Sequence, residues 1–439
     1  MHMLGFLGTN RTIQYLNSIQ RVEHVMNQMI IVGAGIAGLT LALSLHKKGF
    51  RVKVYESAKT IEPLGVGLNL QPYAMKVFAE LGLLEKLQEN AVTTQEMVFF
   101  NRYGQRLHSL PLGLRNGHSV PQLSIHRGVL QQTLLDAARQ RLGADFLLTG
   151  HTLRDVVQDD QGVIATFSQG PQAPLVQVHC SALIGADGVR SQVCRSLFGE
   201  HLAPVDRAVH MWRGVTVAPP FLSGASMVRI GVPAHGKLVI YPIRDQVNER
   251  GEQLINWVAE LDRALFEHDP EFAPDRLEDL ARFFASRSFD WLDIPQLLMR
   301  SNQPIIQTPM ADRDPLPRWT VGRITLIGDA AHPMVPVGSN GAGQAILDAH
   351  CLAEALASGD SLEQALQQYE AQRKPLTSAI VLGDRQELPD ALIHEADRRA
   401  DGLPFADFDA LMSFAEARRL ALPDYASVTQ TNTPRTTCA

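Results

Sequence analysis

Residues 28–56 read QMIIVGAGIAGLTLALSLHKKGFRVKVYE, and this stretch decides the fold. A short apolar strand runs into a glycine turn, a helix follows, and a second strand stops at Glu56. Gly33 permits the tight turn, Gly35 lets the backbone approach a phosphate, and Gly38 lets the helix pack close to the sheet. Glu56 follows Gly38 by 18 positions (56 − 38), where a carboxylate can accept hydrogen bonds from ribose hydroxyls. The stretch therefore predicts a βαβ dinucleotide-binding unit, since a glycine-rich turn in an ordinary βαβ unit would leave Glu56 without a role.

Composition restricts the classes of protein that the chain could belong to. Its 439 residues can form a large core and more than one domain, and a net charge of −6 does not indicate a nucleic-acid partner. The four cysteines are far apart in sequence, which favours a reducing, cytoplasmic location and no metal site. No apolar run is long enough to span a membrane. Residues 1–25 precede the first strand of the predicted βαβ unit and are interpreted as an N-terminal extension.

Three positions in the first half of the chain could contact a ligand. Val66 stands between two glycines, where the backbone can approach a ligand or simply turn. Arg127 lies at the start of a predicted helix, where a cation opposes the helix dipole and should have an anionic or polar partner, unless it is an ordinary surface arginine. Asp187 follows a buried strand in a Gly-Ala-Asp-Gly turn, and it could cap the next helix or bind a cofactor hydroxyl.

A second ligand-binding arrangement lies near residue 330. A buried strand at 323–327 ends at Gly328 and Asp329, a loop rich in glycine and proline follows, and a helix is predicted from Gln344 to about Leu356. A carboxylate just beyond a strand end, followed by a glycine-rich loop that opens a helix, is typical of a ligand site. The two halves of the site therefore come from distant parts of the chain.

The region between these motifs has a different pattern. Residues 97–110 and 208–258 read as successive strands, which after a βαβ start predict a second domain with its own sheet. Residues 260–302 are expected to be helical. The predicted fold is α/β: a three-layer Rossmann-like domain, an interleaved domain with a mixed or antiparallel sheet, and C-terminal helices. The predicted boundaries are an extension at 1–25, a discontinuous nucleotide-binding domain at 26–96, 123–205 and 318–360, a substrate-binding sheet domain at 97–122 and 206–317, a helical segment at 361–399, and a partly disordered tail at 400–439.

With these stretches assembled, the chain resembles the single-component FAD-dependent aromatic monooxygenases of the p-hydroxybenzoate hydroxylase type, known as group A. The resemblance covers about residues 27–385 and rests on three motifs in the family's order: Gly33–Gly38 with Glu56, Gly185–Gly188, and Gly328–Pro333. Within that family the chain is most similar to the phenazine-pathway hydroxylases, and salicylate-hydroxylase-type enzymes come next. The stretches that carry the phenazine similarity are 64–72, 124–128, 211–216 and 312–317.

The resemblance implies a bound FAD, with NADH or NADPH as the transient reductant. It implies that Glu56 holds the adenosine ribose, that Arg127 binds the linker region of FAD, and that Asp329 binds the ribityl hydroxyls. Asp187 would serve the pyrophosphate side, and backbone N–H groups after the 333–340 loop would face the pyrimidine edge of the flavin. The implied cofactor-binding residues are Gly33, Ala34, Gly35, Ile36, Ala37, Gly38, Glu56, Ser57, Val66, Arg127, Asp187, Gly328, Asp329, Gly341, Ala342 and Gly343.

The resemblance also implies the chemistry. Reduced flavin would add dioxygen to form a C4a-hydroperoxide, which hydroxylates an electron-rich aromatic or heteroaromatic ring. With a phenazine- or salicylate-type carboxylate, attack at the carboxylated carbon would expel carbon dioxide. No catalytic side chain is assigned because the flavin carries the chemistry, and His332 is expected to pack in its turn. A homodimer is compatible with the resemblance.

The substrate pocket is expected between the middle sheet and the loop at 333–343. Its candidate lining residues are Met211, Arg213, Tyr241, Trp257, Pro336 and Val337. Arg213 could pair with a substrate carboxylate, or it could be a structural arginine that bonds backbone. Met211 and Arg213 alternate along one strand and share a face, while His210 and Trp212 point the other way. The sequence alone leaves open which pair faces the flavin.

Three departures from the family pattern concern this pocket. Many relatives carry Asn where Gly343 stands and Gln where Asn340 stands, and Pro72-Tyr73-Ala74 replaces the usual Pro-Asn-Ala.

Two rival functions follow from the same motifs. A halogenase or reductase on this fold is one, but residues 289–295 lack a tryptophan of the halogenase signature and the chain has no redox pair of cysteines. A flavin-free scaffold is the other, and the presence of Asp187 and Asp329 argues against it.

Overall fold

The computed structural model describes residues 19–199, 204–273, 275–301, 304–359, 361–386 and 388–423. The strands, in chain order, are β1 (Ile19–Val32), β2 (Val52–Tyr55), β3 (Gly67–Leu70), β4 (Ala91–Thr94), β5 (Glu96–Phe100), β6 (Arg106–Pro111), β7 (Gln122–His126), β8 (Leu147–Leu148), β9 (Thr152–Asp159), β10 (Gly162–Ser168), β11 (Leu175–Gly185), β12 (Val205–Ala218), β13 (Ser226–Ile230), β14 (Lys237–Arg244), β15 (Gln253–Asp262), β16 (Ser288–Phe289), β17 (Leu292–Asp293), β18 (Ile306–Asp312) and β19 (Ile324–Leu326). The helices are α1 (Ile36–Lys47), α2 (Pro72–Glu80), α3 (Leu84–Gln88), α4 (Arg127–Leu142), α5 (Gln192–Phe198), α6 (Leu277–Phe283), α7 (Ile294–Met299), α8 (Gly341–Ser358), α9 (Leu362–Asp384), α10 (Ala391–Arg399), α11 (Phe408–Leu411) and α12 (Phe414–Ala421).

The first sheet contains the predicted βαβ unit. Its order is β8-β2-β1-β11-β10-β9, and β19 also pairs with β11. The pairs β1–β2, β1–β11 and β11–β19 are parallel, so the carboxyl ends of β1, β11 and β19 meet at one edge. In such sheets ligands bind outside the carboxyl ends of the strands, and all three sequence motifs begin at this edge.

The second sheet has the order β18-β12-β15-β14-β13-β5-β6. The hairpin β5–β6 joins it because β5 pairs in parallel with β13, which supports the grouping of 97–122 with 206–317. One face is apolar: Trp212 and Trp257 are buried there with Leu280 of α6 and Leu297 of α7. The opposite face is turned toward the loop before α8, as described below.

A small sheet, β3-β7-β4, lies at the junction of the two larger sheets. A Cβ atom at Gly67 would lie 2.7 Å from the Cβ of Asn256 and 2.8 Å from the ring of Tyr241. The Gly67 N–H also donates to Asn256 Oδ1 at 2.7 Å. The second of the two glycines around Val66 therefore allows the small sheet to pack directly on the second sheet.

The structure differs from the sequence-based expectation in three segments. Residues 260–302 contain the short helices α6 and α7 and the hairpin β16–β17, and much of the remainder is loop. Residues 400–423, which were assigned to the tail, contain α11 and α12, and these pack on Leu107 and Leu110 of β6. The first strand begins at Ile19, so residues 19–25 of the assigned extension belong to β1; residues 1–18 and 424–439 lie outside the described residues. A search of the described helices finds none long and apolar enough to cross a membrane.

Candidate cofactor and substrate site

The glycine turn after β1 has the geometry that the sequence predicts. Gly33 has a φ of +107°, and a Cβ there would lie 2.4 Å from the carbonyl oxygen of Ala186. A Cβ at Gly38 would lie 2.0 Å from the carbonyl oxygen of Gly33, so helix and turn are in direct backbone contact. A Cβ at Gly35 would meet nothing within 4 Å, which leaves open space above this residue. Gly33 and Gly38 are therefore required by packing, and Gly35 is required only if a ligand fills the open space.

The start of α1 is available to an anion. No side chain caps the helix at Gly35, and its first turn holds no acidic residue. Glu56 Oε2 accepts the Ala34 N–H at 2.8 Å, while Oε1 accepts the Ala58 N–H at 2.8 Å and the Ser57 hydroxyl at 3.0 Å. Glu56 thus holds the turn and the end of β2 together, and its position at the carboxyl end of β2 suits a ribose contact.

A cleft of about 800 Å³ runs along this edge of the sheet. It brings together six of the sequence-predicted residues: Gly33, Gly35, Glu56, Ser57, Arg127 and Asp187. Gln131, which the sequence reasoning missed, also lines the cleft and donates to the Ala34 carbonyl at 2.9 Å. Its signal was its position one turn after Arg127 on the same face of α4.

Arg127 and Asp187 both line the cleft. The Arg127 side chain passes over Gly65, whose absent Cβ would lie 3.1 Å from Arg127 Cδ. Asp187 accepts the Ser191 hydroxyl at 2.5 Å and the Gln192 N–H at 2.7 Å. Burial raises the pKa of Asp187, and these hydrogen bonds offset part of that rise. Asp187 therefore caps the start of α5, which was one of its two predicted roles, and a cofactor contact would be additional.

Gly328, in the motif after β19, packs against the helix that follows the first glycine turn. Its φ is +58°, and a Cβ there would lie 3.2 Å from the Cβ of Ala37 on α1 and 3.1 Å from that of Ala345 on α8. A residue without a side chain is thus needed for the two helices to meet. The geometry brings together the two halves of the site that are far apart in sequence.

Asp329 is the acidic group at this junction. Its side chain is accessible from the surface, yet protein surrounds it on the remaining sides, and this desolvation raises its pKa. Electrostatic interactions with His332, Arg127 and Arg313 offset part of the rise in pKa. Arg313 is buried, donates to the Ala330 carbonyl at 2.6 Å, and also interacts with Asp187. The sequence reasoning did not single out Arg313, although it lies in the 312–317 stretch that supports the phenazine similarity.

A buried network supports the same turn. Asp348 of α8 accepts the Gly328 N–H at 2.9 Å and His332 Nε2 at 2.5 Å, and Arg373 Nε donates to it at 2.8 Å. Burial alone would raise the pKa of Asp348, but His332 and Arg373 hold it below its usual value. His332 is buried with its ring against Trp319, so it positions the turn. Sequence reasoning missed Asp348 and Arg373, although their spacing along two adjacent predicted helices was visible.

The start of α8 explains two departures from the family pattern. A Cβ at Gly343 would lie 2.6 Å from the Tyr73 hydroxyl oxygen and 2.7 Å from its Cε2 atom. The Tyr73 hydroxyl donates to Asn340 Oδ1 at 3.3 Å, and burial raises the pKa of Tyr73 to about 12, which keeps the proton in place. The unusual tyrosine thus occupies the space that a side chain at position 343 would need. A Cβ at Gly341 would meet only Met334 Cγ, at 3.9 Å, and no side chain caps the helix at Asn340.

The face of the second sheet that meets this loop carries Met211 and Arg213. Met211 is buried with Val335 and Val337 of the loop. His210 and Trp212 are on the other face, against Phe266. The Arg213 Nη2 atom donates to Thr308 Oγ1 at 3.0 Å, and its Nε has no hydrogen-bond partner among the described residues. Burial lowers the pKa of Arg213, while Tyr241 and Glu260 offset part of the change.

The remaining substrate-pocket candidates divide into two groups. Tyr241 is opposite Asn256 in the β14–β15 ladder and shares the loop-facing side with Arg213, and burial raises its pKa. Trp257 is on the opposite face, where its Nε1 donates to Thr216 Oγ1 at 3.1 Å, so its assignment to the pocket is corrected. Val66 packs with Tyr241 in the junction between the sheets and does not line the cleft. Pro336 is exposed, whereas Val337 is buried beside Met211.

The residues fit a flavin dinucleotide. An open space lies over Gly35, and the starts of α1 and α8 are both without side-chain caps. Asp329 follows Gly328, the residue at which the two helices meet, and its side chain is accessible. Helix starts favour phosphate or developing negative charge, and an accessible carboxylate accepts hydroxyl donors. These features are those of a dinucleotide-binding site.

Comparison with known proteins identifies the family. A model of the FAD binding domain matches residues 26–383, so the chain belongs to the FAD binding domain family. Phenazine 1,6-dicarboxylic acid hydroxylase PhzS of Lysobacter antibioticus is 43% identical over 362 residues, which cover 81% of this chain and 89% of that protein. The 3-hydroxybenzoate 6-hydroxylase of Polaromonas naphthalenivorans (strain CJ2) is 31% identical over 368 residues, covering 82% and 86% of the two chains. The fold alone is shared with Klebsiella pneumoniae HpxO, solved with FAD and uric acid: TM-score 0.70, 22% identity, 92% of this chain and 95% of that one.

These findings confirm the resemblance that the sequence predicted. The fold is α/β, the cofactor is FAD, and the protein is a flavin-dependent monooxygenase. The individual residue contacts with FAD stay predictions that rest on the geometry above.

Proposed function

We propose that the protein uses NADH or NADPH, FAD and dioxygen to hydroxylate an electron-rich aromatic or heteroaromatic ring that carries a carboxylate. Phenazine- and salicylate-type carboxylates are the proposed substrate class, in keeping with the names of the relatives. The observation that carries the proposal is Arg213, a half-buried cation beside the loop whose Nε has no partner in the described part of the chain. A carboxylate would supply that partner and a charge-assisted hydrogen bond.

The protein's own residues would bind, orient and shield the reactants. Met211 and Val337 form an apolar wall that excludes water, and Arg213 would orient the carboxylate between that wall and Tyr241. N–H groups of Gly341, Ala342 and Gly343 at the start of α8 would stabilise negative charge on the flavin. Bound FAD supplies the redox chemistry, since it accepts a hydride and activates dioxygen.

The overall reaction balances simply. The ring, dioxygen, NAD(P)H and one proton give the hydroxylated ring, NAD(P)⁺ and water. Where oxygen enters at the carbon that bears the carboxylate, carbon dioxide leaves in place of the ring proton, and the reaction takes up a second proton because the negative charge of the carboxylate is lost. This variant is proposed by analogy with the phenazine-pathway resemblance.

The test measures NADH and NADPH oxidation by FAD-loaded protein with phenazine-1-carboxylate, salicylate and the matched rings without a carboxylate, with mass detection of products. We expect stimulation by a carboxylated ring and a product that gains oxygen, with or without loss of carbon dioxide. Arg213→Met should raise KM for that ring about 10- to 100-fold, because a hydrogen bond to a charged group is lost. Equal turnover of rings with and without the carboxylate would contradict the role of Arg213, and peroxide as the sole product would contradict the substrate class.

We also propose a cytoplasmic location, which the widely separated cysteines support. The homodimer stays a prediction.

A further inference from the structure

Four buried charges lie together on the loop-facing side of the second sheet. Lys237 Nζ is 2.9 Å from Glu260 Oε2 and 2.7 Å from Asp390 Oδ2, and Arg229 Nη1 is 2.8 Å from Asp390 Oδ1. All four side chains are at most 3% exposed. We call Arg229, Lys237, Glu260 and Asp390 the buried quartet. Its two cations and two anions sum to zero charge, so it is electrostatically complete without a ligand.

The quartet joins three parts of the molecule. Arg229, Lys237 and Glu260 come from the adjacent strands β13, β14 and β15. Asp390 stands at the start of α10, in the C-terminal segment that the sequence reasoning left outside both domains. Arg229 also uses its other terminal nitrogen: Nη2 donates to the backbone carbonyl of Val337 at 2.7 Å.

The hydrogen bond from Arg229 to the Val337 carbonyl links the buried quartet to the turn that precedes α8. Val337 lies in the turn Pro336–Gly338, and Asn340, the residue before α8, follows three positions later. Ser339, between them, has a left-handed φ of +54°, which a residue with a side chain adopts only when its surroundings hold it there. Residues outside the turn therefore hold the chain that leads into α8, and Arg229 is the member of the quartet that donates a hydrogen bond to this turn.

Stability alone does not account for this arrangement. Replacing a buried ion network by apolar residues of similar volume is often neutral or stabilising, so a buried network is weak evidence for a stabilising role. A forked guanidinium, unlike a lysine, can hold two acceptors in a fixed relative orientation. Here the two acceptors are the Asp390 carboxylate and the Val337 carbonyl.

We propose that Arg229 is a positioning residue for the cofactor site: held by Asp390, it fixes the Val337 carbonyl and so the approach of the chain to the start of α8. The C-terminal segment that begins at Asp390 is then part of the cofactor site, although it contributes no side chain to the cleft. This inference rests on the proposed placement of the flavin at α8, and it does not depend on which ring is oxidised.

The test compares Arg229→Met with Lys237→Met. Each variant removes one buried cation and leaves the quartet with one surplus negative charge, so both should lower the unfolding midpoint of the apoprotein. Arg229→Met alone also releases Val337, and we expect it to weaken FAD binding by about tenfold or more and to shift the flavin reduction potential. Lys237→Met should change the FAD dissociation constant by no more than about twofold, which is less than the loss of one typical hydrogen bond would cause.

A third variant separates charge from position. Arg229→Lys keeps a cation beside Asp390 but loses the fork, so the unfolding midpoint should recover while FAD affinity does not. This variant carries the test if Arg229→Met does not fold. All readouts are made without ring substrate, so an error in the proposed substrate does not affect them. Equal changes in FAD affinity for the two methionine variants, or wild-type affinity and potential in Arg229→Lys, would overturn the inference.

Discussion

Replacing Gly343 by alanine should destabilise the protein only while Tyr73 stands beside it. The added Cβ would lie 2.6 Å from the tyrosine oxygen and 2.7 and 2.9 Å from two ring carbons, well inside normal contact distance. The hydroxyl oxygen and two ring carbons are all too close, so rotation of the hydroxyl proton cannot relieve the contact, and Tyr73→Phe would leave the two carbon contacts in place. Inserting a methyl group into such a packed position costs about 1–3 kcal/mol.

A helix-propensity gain partly opposes this cost. Gly343 is the third residue of α8, and alanine is favoured over glycine by up to about 1 kcal/mol in a helix. The net destabilisation expected for Gly343→Ala is therefore about 0–3 kcal/mol. In a Tyr73→Ala background the clash is gone and only the gain remains, so the same substitution should stabilise.

The assay is urea unfolding of the four apoproteins in this double-mutant cycle. Apoprotein is used because bound FAD would stabilise the folded state by mass action and conceal the packing effect. The coupling free energy between positions 73 and 343 should equal the clash, about 1–3 kcal/mol. The same change in free energy of unfolding in both backgrounds would show that the two residues do not meet, and the reasoning would fail.

Three other predictions concern the cofactor and substrate sites. Gly35→Val should give a folded apoprotein that no longer binds FAD, since the new side chain would enter only open space, whereas Gly33→Ala should fail to fold stably because φ at Gly33 is +107° and the added Cβ would meet backbone. Circular dichroism and flavin content distinguish the two variants, and an FAD-loaded Gly35→Val protein would disprove the interpretation of 33–38 as a dinucleotide-binding turn. Asp329→Asn should lower FAD affinity yet raise the urea midpoint of the apoprotein at pH 7 to 8. The protein around this accessible carboxylate desolvates it and raises its folded-state pKa, so its contribution to stability is highest below the unfolded pKa and falls as pH rises through the folded one. A midpoint that rises with pH in the wild type relative to the variant would reverse this sign. Trp257→Phe should lower the free energy of unfolding without changing KM for the ring, because the indole is buried on the face of the sheet away from the loop. An altered KM at wild-type FAD affinity would show that Trp257 does line the substrate pocket.

The sequence was most informative where backbone conformation and spacing are locally determined. Gly33 and Gly38 could be interpreted correctly because only a residue without a side chain fits a left-handed turn or a backbone contact. The order of the motifs and the alternation of the strands were sufficient to predict two sheets. Alternation also paired Met211 with Arg213, and the structure shows which way the pair faces.

The sequence was least informative where the decisive contacts join distant residues. Arg229 and Asp390 are 161 positions apart, and neither lies in a motif that marks it as buried. The contact between Tyr73 and Gly343 appeared in the sequence as two unrelated departures from a pattern. The segment at 400–423 was misjudged because its Ala- and Asp-rich composition hides a short apolar face, of which Ala417 and Ala421 are the i, i+4 pair.

The long sequence separation between β1 and β19 has a consequence for how the enzyme is made. Gly328 follows Gly38 by 290 residues (328 − 38), and β19 cannot pair with β11 until both have been synthesised. At ribosomal rates of about 5–20 residues per second, the first glycine turn leaves the ribosome roughly 15–60 s before the second half of the site exists. During that interval the nascent chain can form β1, α1 and β2 but not the wall that includes Asp329. The complete site therefore forms only after β19 has been synthesised, so FAD can contact both halves of its site only late in synthesis or after the chain is released.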